Sequence, residues 1–224
     1  EETYDNEDAA QSGMITHSQD TWFEKTVEGP GDLDFWWKVS SESYCDFLEF
    51  WINDARQDWM SGSSPWLLRT FRLPPGSHTL RWRYTKDGSV NIGQDCGWVD
   101  QVSYTQDEIA IVPDEVFFSN GPEGGAFDPI DKDYQLTNLT DDPAVWVAGT
   151  SQPWVTVSST GGTLAAGANA TVQVSINAAA EALPPGQHQA LFVTTNTVTG
   201  WARSIPVILE VDPALVVTPR TGFF

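Results

Sequence analysis

The stretch Leu33-Asp34-Phe35-Trp36-Trp37-Lys38-Val39-Ser40 places an apolar residue at every odd position and a polar or amphipathic one between. Successive side chains of a strand point to opposite faces, so this period of two marks a strand with one face in a core. Leu33, Phe35, Trp37 and Val39 are then expected to face inward, and Asp34, Trp36, Lys38 and Ser40 outward. The pattern recurs where Leu48, Phe50 and Ile52 alternate with Phe47, Glu49, Trp51 and Asn53. It recurs again where Leu80, Trp82 and Tyr84 alternate with Arg81 and Arg83, after a predicted turn at Pro74-Pro75-Gly76. Trp98–Tyr104 is expected to close this set of strands. Helical periodicity is almost absent; the one candidate, Asn177–Leu183, is short and stops at Pro184. The fold class is therefore expected to be all-β.

Composition changes near Ile109. Eight of the 11 tryptophans precede that point, and Thr, Ala, Val and Asn take over after it. Seven short strands are predicted there: 116–119, 134–139, 144–148, 154–157, 170–176, 189–194 and 204–211. That number over about a hundred residues describes an immunoglobulin-like β-sandwich. The expected organisation is a jelly-roll module over 1–106, the immunoglobulin-like module over 107–212, and the start of a further repeat or linker over 213–224. The last expectation rests on the match between Ile109–Phe118 and Ala214–Phe224, each ending in a Phe pair.

Eleven basic against 31 acidic residues give a formal charge of −20. The excess is even: 8 − 18 in residues 1–106 and 3 − 13 in residues 107–224, or −10 in each part. Such a chain is repelled by nucleic acid and by anionic membrane surfaces. No run reaches the ~20 apolar residues of a membrane span, and no signal peptide is seen before Glu1, which reads as a mature or excised start. Cys45 and Cys96 are the only cysteines, each at the entrance to an apolar run. They are expected to form one disulfide worth about 4 kcal/mol in an extracellular protein, two buried free thiols being the alternative.

Several motifs of the first part resemble the MAM-like, concanavalin-type jelly rolls appended to secreted bacterial proteases, polysaccharide-degrading enzymes and surface proteins. They are Asp8–Gly13, Phe35–Glu42, Asp46–Phe50, His78–Ser89 and Gly97–Val102. The second part is similar to BACON-like bacterial immunoglobulin-like modules at Tyr134–Asn138, Trp154–Val157, Gly162–Gly167, Thr171–Asn177 and Leu183–Gly186. The resemblance implies a tandem array in a large secreted protein. It also implies a structural calcium near the first and closing strands, putting forward Asp8 and Asp100 with Asp46 and Asp95 as neighbours. A loop of carboxylates and glycines over Asp87–Asp95 suits the same hard cation. Asp128, Asp131 and Asp133 are a weaker set. The resemblance further implies a strand missing ahead of the first module, and so an edge open to self-association.

Catalytic patterns are lacking. His17, His78 and His188 are scattered, with no nucleophile elbow, metal-binding His pair or phosphate loop. The sequons at Asn138 and Asn169 are expected to be chance matches in Thr-rich strands of a bacterial protein. The candidate ligand face is aromatic: Trp36, Lys38, Glu49, Trp51, Arg81 and Arg83 are all expected opposite the core. Indoles beside charged groups suit a sugar ring, whose C–H face stacks while its hydroxyls find partners. The alternative is that the arginines stack on the indoles and pair with Glu49, covering the sheet. Trp59 and Trp66 could line a rim, and Trp22, Trp37, Trp82 and Trp98 are expected in the core. The chain is thus expected to be non-catalytic and to bind polysaccharide or another extracellular polymer. The other readings are an adhesive segment, or domains appended to a secreted enzyme.

Overall fold

The alternating stretch that begins at Leu33 is the second half of a 21-residue strand. A computed structural model of the chain describes residues 2–214. Two units separate, Glu1–Asp107 and Glu108–Phe224. The first contains β1 (Ala10–Gln11), β2 (Asp20–Ser40), β3 (Phe47–Ile52), β4 (Ala55–Met60), β5 (Leu67–Thr85) and β6 (Cys96–Gln106). They form one sheet in the order β1-β6-β2-β5-β3-β4.

That sheet is folded over on itself. β2 and β5 pair along nearly their whole length, from Asp20↔Thr85 to Trp37↔Leu67. β6 joins β2 only from Gly31 to Ser40, and β3 joins β5 only from Leu80 to Thr85. The two halves of the long ribbon therefore belong to different layers, and the core lies between them. Phe35 of one half meets Phe50 at 4.8 Å and Trp82 at 5.2 Å between ring centroids. Leu33, Phe35, Trp37 and Val39 are all fully buried, as the alternation requires. This is the rolled ribbon of a jelly-roll sandwich.

The corner of the roll corrects one expectation. Pro74-Pro75-Gly76 is not a turn between two strands but a bend inside β5. Gly29 pairs with Gly76 and Gly31 with Leu73, so Pro74 and Pro75 together oppose Pro30. Two residues against one is a bulge, the position where a strand tolerates proline's missing N–H. Gly29 permits the corner: a Cβ there would lie 2.1 Å from the Pro74 carbonyl oxygen.

The same folding-over undoes the expected disulfide. Cys45 and Cys96 are free thiols. The strands they precede, β3 and β6, are not adjacent, because β2 and β5 stand between them in the sheet order. Cys45 lies beside Glu42 and Asp87, its Sγ within 4.8 Å of a carboxylate oxygen of each, whereas Cys96 sits opposite Ser40 at the start of β6.

The second unit is an immunoglobulin-like sandwich. Its strands are β7 (Ile109–Val112), β8 (Phe117–Pro122), β9 (Asp131–Asn138), β10 (Ala144–Thr150), β11 (Val155–Val157), β12 (Gly161–Leu164), β13 (Asn169–Ile176), β14 (Gly186–Asn196) and β15 (Ala202–Asp212). One sheet runs β12-β10-β14-β15-β8 and the other β11-β13-β9-β7. Between them lies a core that includes Trp146, Trp154, Tyr134 and Phe192, the last two 5.3 Å apart. All seven expected strands are present; β7 and the Gly-led β12 add two more. The candidate helix is a single 3-10 turn, Ala178–Ala182, capped by Asn177, whose side chain accepts from the Ala179 N–H. The further repeat expected over 213–224 lies, beyond Ala214, outside the described residues.

Candidate functional site

The six residues expected on one ligand face divide between two. Trp36 and Lys38 point outward from the layer that β2 forms with β6. Glu49, Trp51, Arg81 and Arg83 point outward from the layer of β3 and the second half of β5. The first group is covered by the chain's own N-terminal segment. The Tyr4 ring stacks on Trp36 at 3.8 Å and 15°, and Lys38 Nζ donates to Glu2 at 2.6 Å. Tyr4 N–H donates to Asp100 Oδ2 at 2.7 Å, and Trp98 Nε1 donates to Gln11 at 3.2 Å. Trp98 is buried as expected, but beneath this segment, on the outer side of its sheet.

Trp51, Arg81 and Arg83 of the second group line a groove of about 250 Å³ with Asp20, Trp22 and Asp54. Glu49 is its foundation. Though 4% exposed, this carboxylate accepts from Trp51 Nε1 at 3.0 Å, Arg56 Nη1 at 2.8 Å and Arg83 Nη1 at 3.5 Å. Arg83 Nε also donates to Asp20 at 2.7 Å, and Arg81 Nε donates to Glu24 at 2.9 Å. The guanidinium planes are thus held in place by carboxylates. Among the described residues, no acceptor engages the terminal nitrogens of Arg81, and Asp54 has no partner.

Trp22 was expected in the core, yet it is 56% exposed. It pairs with Arg83 in the β2–β5 ladder, which puts its indole on the outer face beside Arg83. The available signal was the alternation of Trp22, Glu24, Thr26 and Glu28 with Phe23, Lys25 and Val27; Phe23 stacks on the buried Trp82 at 4.9 Å. Trp59 is also exposed, with the Arg56 guanidinium 4.5 Å from its ring centroid. Trp66 stands edge-on to Tyr4 on the covered face.

The four carboxylates put forward for calcium are not gathered. Asp46 and Asp95 do meet, but on an ammonium: Lys86 Nζ donates to Asp46 Oδ2 at 3.0 Å and to Asp95 Oδ1. The side chains of Lys86 and Asp46 are both fully buried. Lysine therefore stands where a metal ion was expected. Asp100 accepts from the amides of Tyr4 and Gln101, while Asp8 is exposed beside Gln11 and Trp98. Among the described residues, no three of Asp8, Asp46, Asp95 and Asp100 come within reach of one ion, nor do Asp128, Asp131 and Asp133. A different set does: Glu42, Cys45 and Asp87, whose ligand atoms all lie within 4.8 Å of one another.

No family model matches this sequence, and no curated protein is similar to it. Among solved structures, the chain is similar to the secreted serine protease VesC of Vibrio cholerae, at 20% identity and a TM-score of 0.40. That match spans 43% of this chain and 21% of the protease. The adhesin domain of Epf from Streptococcus pyogenes matches over 94% of this chain and 78% of its own, at 10% identity and a TM-score of 0.37. A protein of unknown function from Porphyromonas gingivalis W83 matches over 90% and 99%, at 12% identity and 0.37. None of these likenesses bears on the chemistry of the groove. No helix among the described residues is long and apolar enough to cross a membrane.

Burial gives the first unit a defined alkaline limit. Burial, with Asp95 and Glu2 nearby, pushes the Cys96 thiol up from 9.0 to about 11. Burial likewise raises the Tyr84 hydroxyl of the same unit. A group whose folded pKa is raised contributes stability that is whole below its unfolded pKa and is lost as pH rises through the folded one. Melting temperature is therefore expected to hold steady up to pH 9.0 and to fall between there and about 11. Cys96→Ser should make that fall shallower; an unchanged slope in differential scanning fluorimetry would remove the thiol from the account.

Proposed function

We propose that the chain is a non-catalytic accessory region of a secreted or surface bacterial protein. Its jelly-roll unit binds a neutral polysaccharide, and its immunoglobulin-like unit spaces neighbouring domains. The observation that carries this reading is the groove between Trp22 and Trp51 over Arg81 and Arg83. Its volume of about 250 Å³ is below the ~300–1,000 Å³ of pockets that engulf a ligand, so it suits the face of a sugar ring. The exposed Trp22 indole offers a stacking platform, the free nitrogens of Arg81 offer donors, and Asp54 offers an acceptor. Four acids (Asp20, Glu24, Glu49, Asp54) against three arginines (Arg56, Arg81, Arg83) favour a neutral glycan over a polyanion. The histidines support a non-catalytic role: His78 and His188 ring nitrogens bond the carbonyls of Pro74 and Pro184.

Affinity electrophoresis through gels containing neutral plant and bacterial polysaccharides tests the reading. At least one polymer should retard the protein, and Trp22→Ala should abolish the shift while leaving the melting temperature within a few degrees, since the indole is largely in water. Retardation that survives Trp22→Ala would place binding elsewhere. A second reading, self-association through a strand edge, is favoured by one feature. Over Asp20–Gly29, β2 pairs with β5 alone, and its other edge is unpaired among the described residues. Glu24, Lys25 and Glu28 on that edge are the charges by which edge pairing is discouraged. A concentration-dependent shift in size-exclusion chromatography would favour association.

A further inference from the structure

Beside the Asp46–Lys86 pair lies a second cluster of acidic groups that, among the described residues, no lysine or arginine neutralises. Glu42 and Cys45 stand in the turn from β2 to β3, and Asp87 follows β5. The turn is pinned by Ser41, whose Oγ donates to the Asp46 carbonyl at 2.9 Å, and by Asp46 N–H donating to the Glu42 carbonyl at 3.2 Å. Asp87 is pinned as firmly: its N–H donates to Asp46 Oδ1 at 2.9 Å and its carbonyl accepts from Ser18 N–H at 2.6 Å. These bonds bring two carboxylates and one thiol within 4.8 Å of one another. Glu42 Oε2 is out of contact with solvent and has no hydrogen-bond donor. Among the described residues, neither Glu42 nor Asp87 pairs with a basic side chain. A carboxylate oxygen removed from water without a partner is costly, and a bound cation is one of the few arrangements that relieves it.

We propose that Glu42, Cys45 and Asp87 form a binding site for a borderline-soft divalent cation of the zinc class. The thiol decides the class. Calcium and magnesium take oxygen ligands, whereas zinc accepts thiolate and carboxylate together, at about 2.3 Å and 2.0–2.2 Å. On binding, the metal replaces the proton on Cys45 Sγ, which leaves to solvent. The three ligands then carry three negative charges against two positive. Three protein ligands leave a fourth tetrahedral position on the solvent side, because Glu42, Cys45 and Asp87 are each only half-buried. The site shares no residue with the groove, so the two readings stand or fall separately.

Cobalt(II) added to the reduced, metal-stripped full chain is the probe, because a cobalt–thiolate bond gives a charge-transfer absorption that carboxylates do not. One cobalt per chain is expected, with that absorption, displaced by zinc and not by equimolar calcium. Cys45→Ser should abolish the absorption and Cys96→Ser should leave it. Glu42→Gln and Asp87→Asn should each weaken zinc binding by more than about tenfold, the least that losing even an outer-shell partner costs. Metal-free melting curves check that each variant folds. Absence of the absorption, its survival in Cys45→Ser, or displacement by calcium as readily as by zinc would each overturn the site.

Discussion

Replacing Phe35 by alanine is expected to destabilise the jelly-roll unit by about 3–5 kcal/mol, the range for truncating a fully buried phenylalanine. The ring is 0% exposed and touches aromatic neighbours from three strands. It stands edge-on to Trp37 at 5.6 Å and to Trp82 at 5.2 Å, tilted against Phe50 at 4.8 Å, and stacked with Phe71 at 6.0 Å. Trp37 lies on its own strand; Phe50 is on β3, and Phe71 and Trp82 lie in the two halves of β5. Removing the ring therefore opens a cavity where the rolled sheet closes on itself, and the layers cannot collapse into it without uncoupling the β2–β5 ladder. Thr70→Ala, on the exposed side of the same ladder, should stay within about 0.5 kcal/mol despite losing a 2.6 Å hydrogen bond to Asp34. Urea unfolding followed by tryptophan fluorescence reads mainly this unit, which holds eight of the 11 tryptophans. A loss under about 1 kcal/mol for Phe35→Ala would mean that the two layers do not share one core.

The contrast between these two positions shows how much of the fold is legible in the chain. Alternation separates inward from outward because water meets only one face of each layer, and Leu33, Phe35, Trp37 and Val39 obey it without exception. Alternation cannot say which layer an outward residue belongs to. Trp36 and Trp51 have the same parity and were placed together, but the corner at Gly29 and Pro74 carries them to opposite sides of the unit. That corner is hard to foresee, since the residues that make a turn, Pro-Pro-Gly, also make a bulge. Trp22 was misassigned for a related reason. A tryptophan in a strand reads as core by its size, and only the parity of Phe23 and Val27 shows Trp22 facing water. The second unit was easier, because its short strands end at ordinary turns and its sheets are separate.

Least visible of all is Lys86, which continues the inward parity of Leu80, Trp82 and Tyr84 but belongs to a residue type almost never fully buried without a partner. Lys86→Met is expected to cost about 3–5 kcal/mol, the price of breaking a buried ion pair from one side. The pair itself is weak evidence of stability, because desolvating both charges offsets most of their attraction. The loss comes from what remains. Methionine fills the space of the lysine stem, but Asp46 Oδ2 is left in a fully buried site with no donor, while Oδ1 keeps only the Asp87 amide. Asp95 suffers less, being partly exposed and bonded by the Tyr84 hydroxyl at 3.2 Å. Adding Asp46→Asn to Lys86→Met removes the stranded charge, retains an oxygen for the Asp87 amide and supplies a donor toward Asp95. The double variant should therefore be more stable than Lys86→Met alone, a sign that simple loss of packing would not produce. If the two are equally unstable in urea titrations, the cost lies in the lysine stem and not in the charge. Because Asp87 hangs from Asp46 Oδ1, the double variant should also keep its cobalt absorption, as the amide anchor and all three proposed ligands remain.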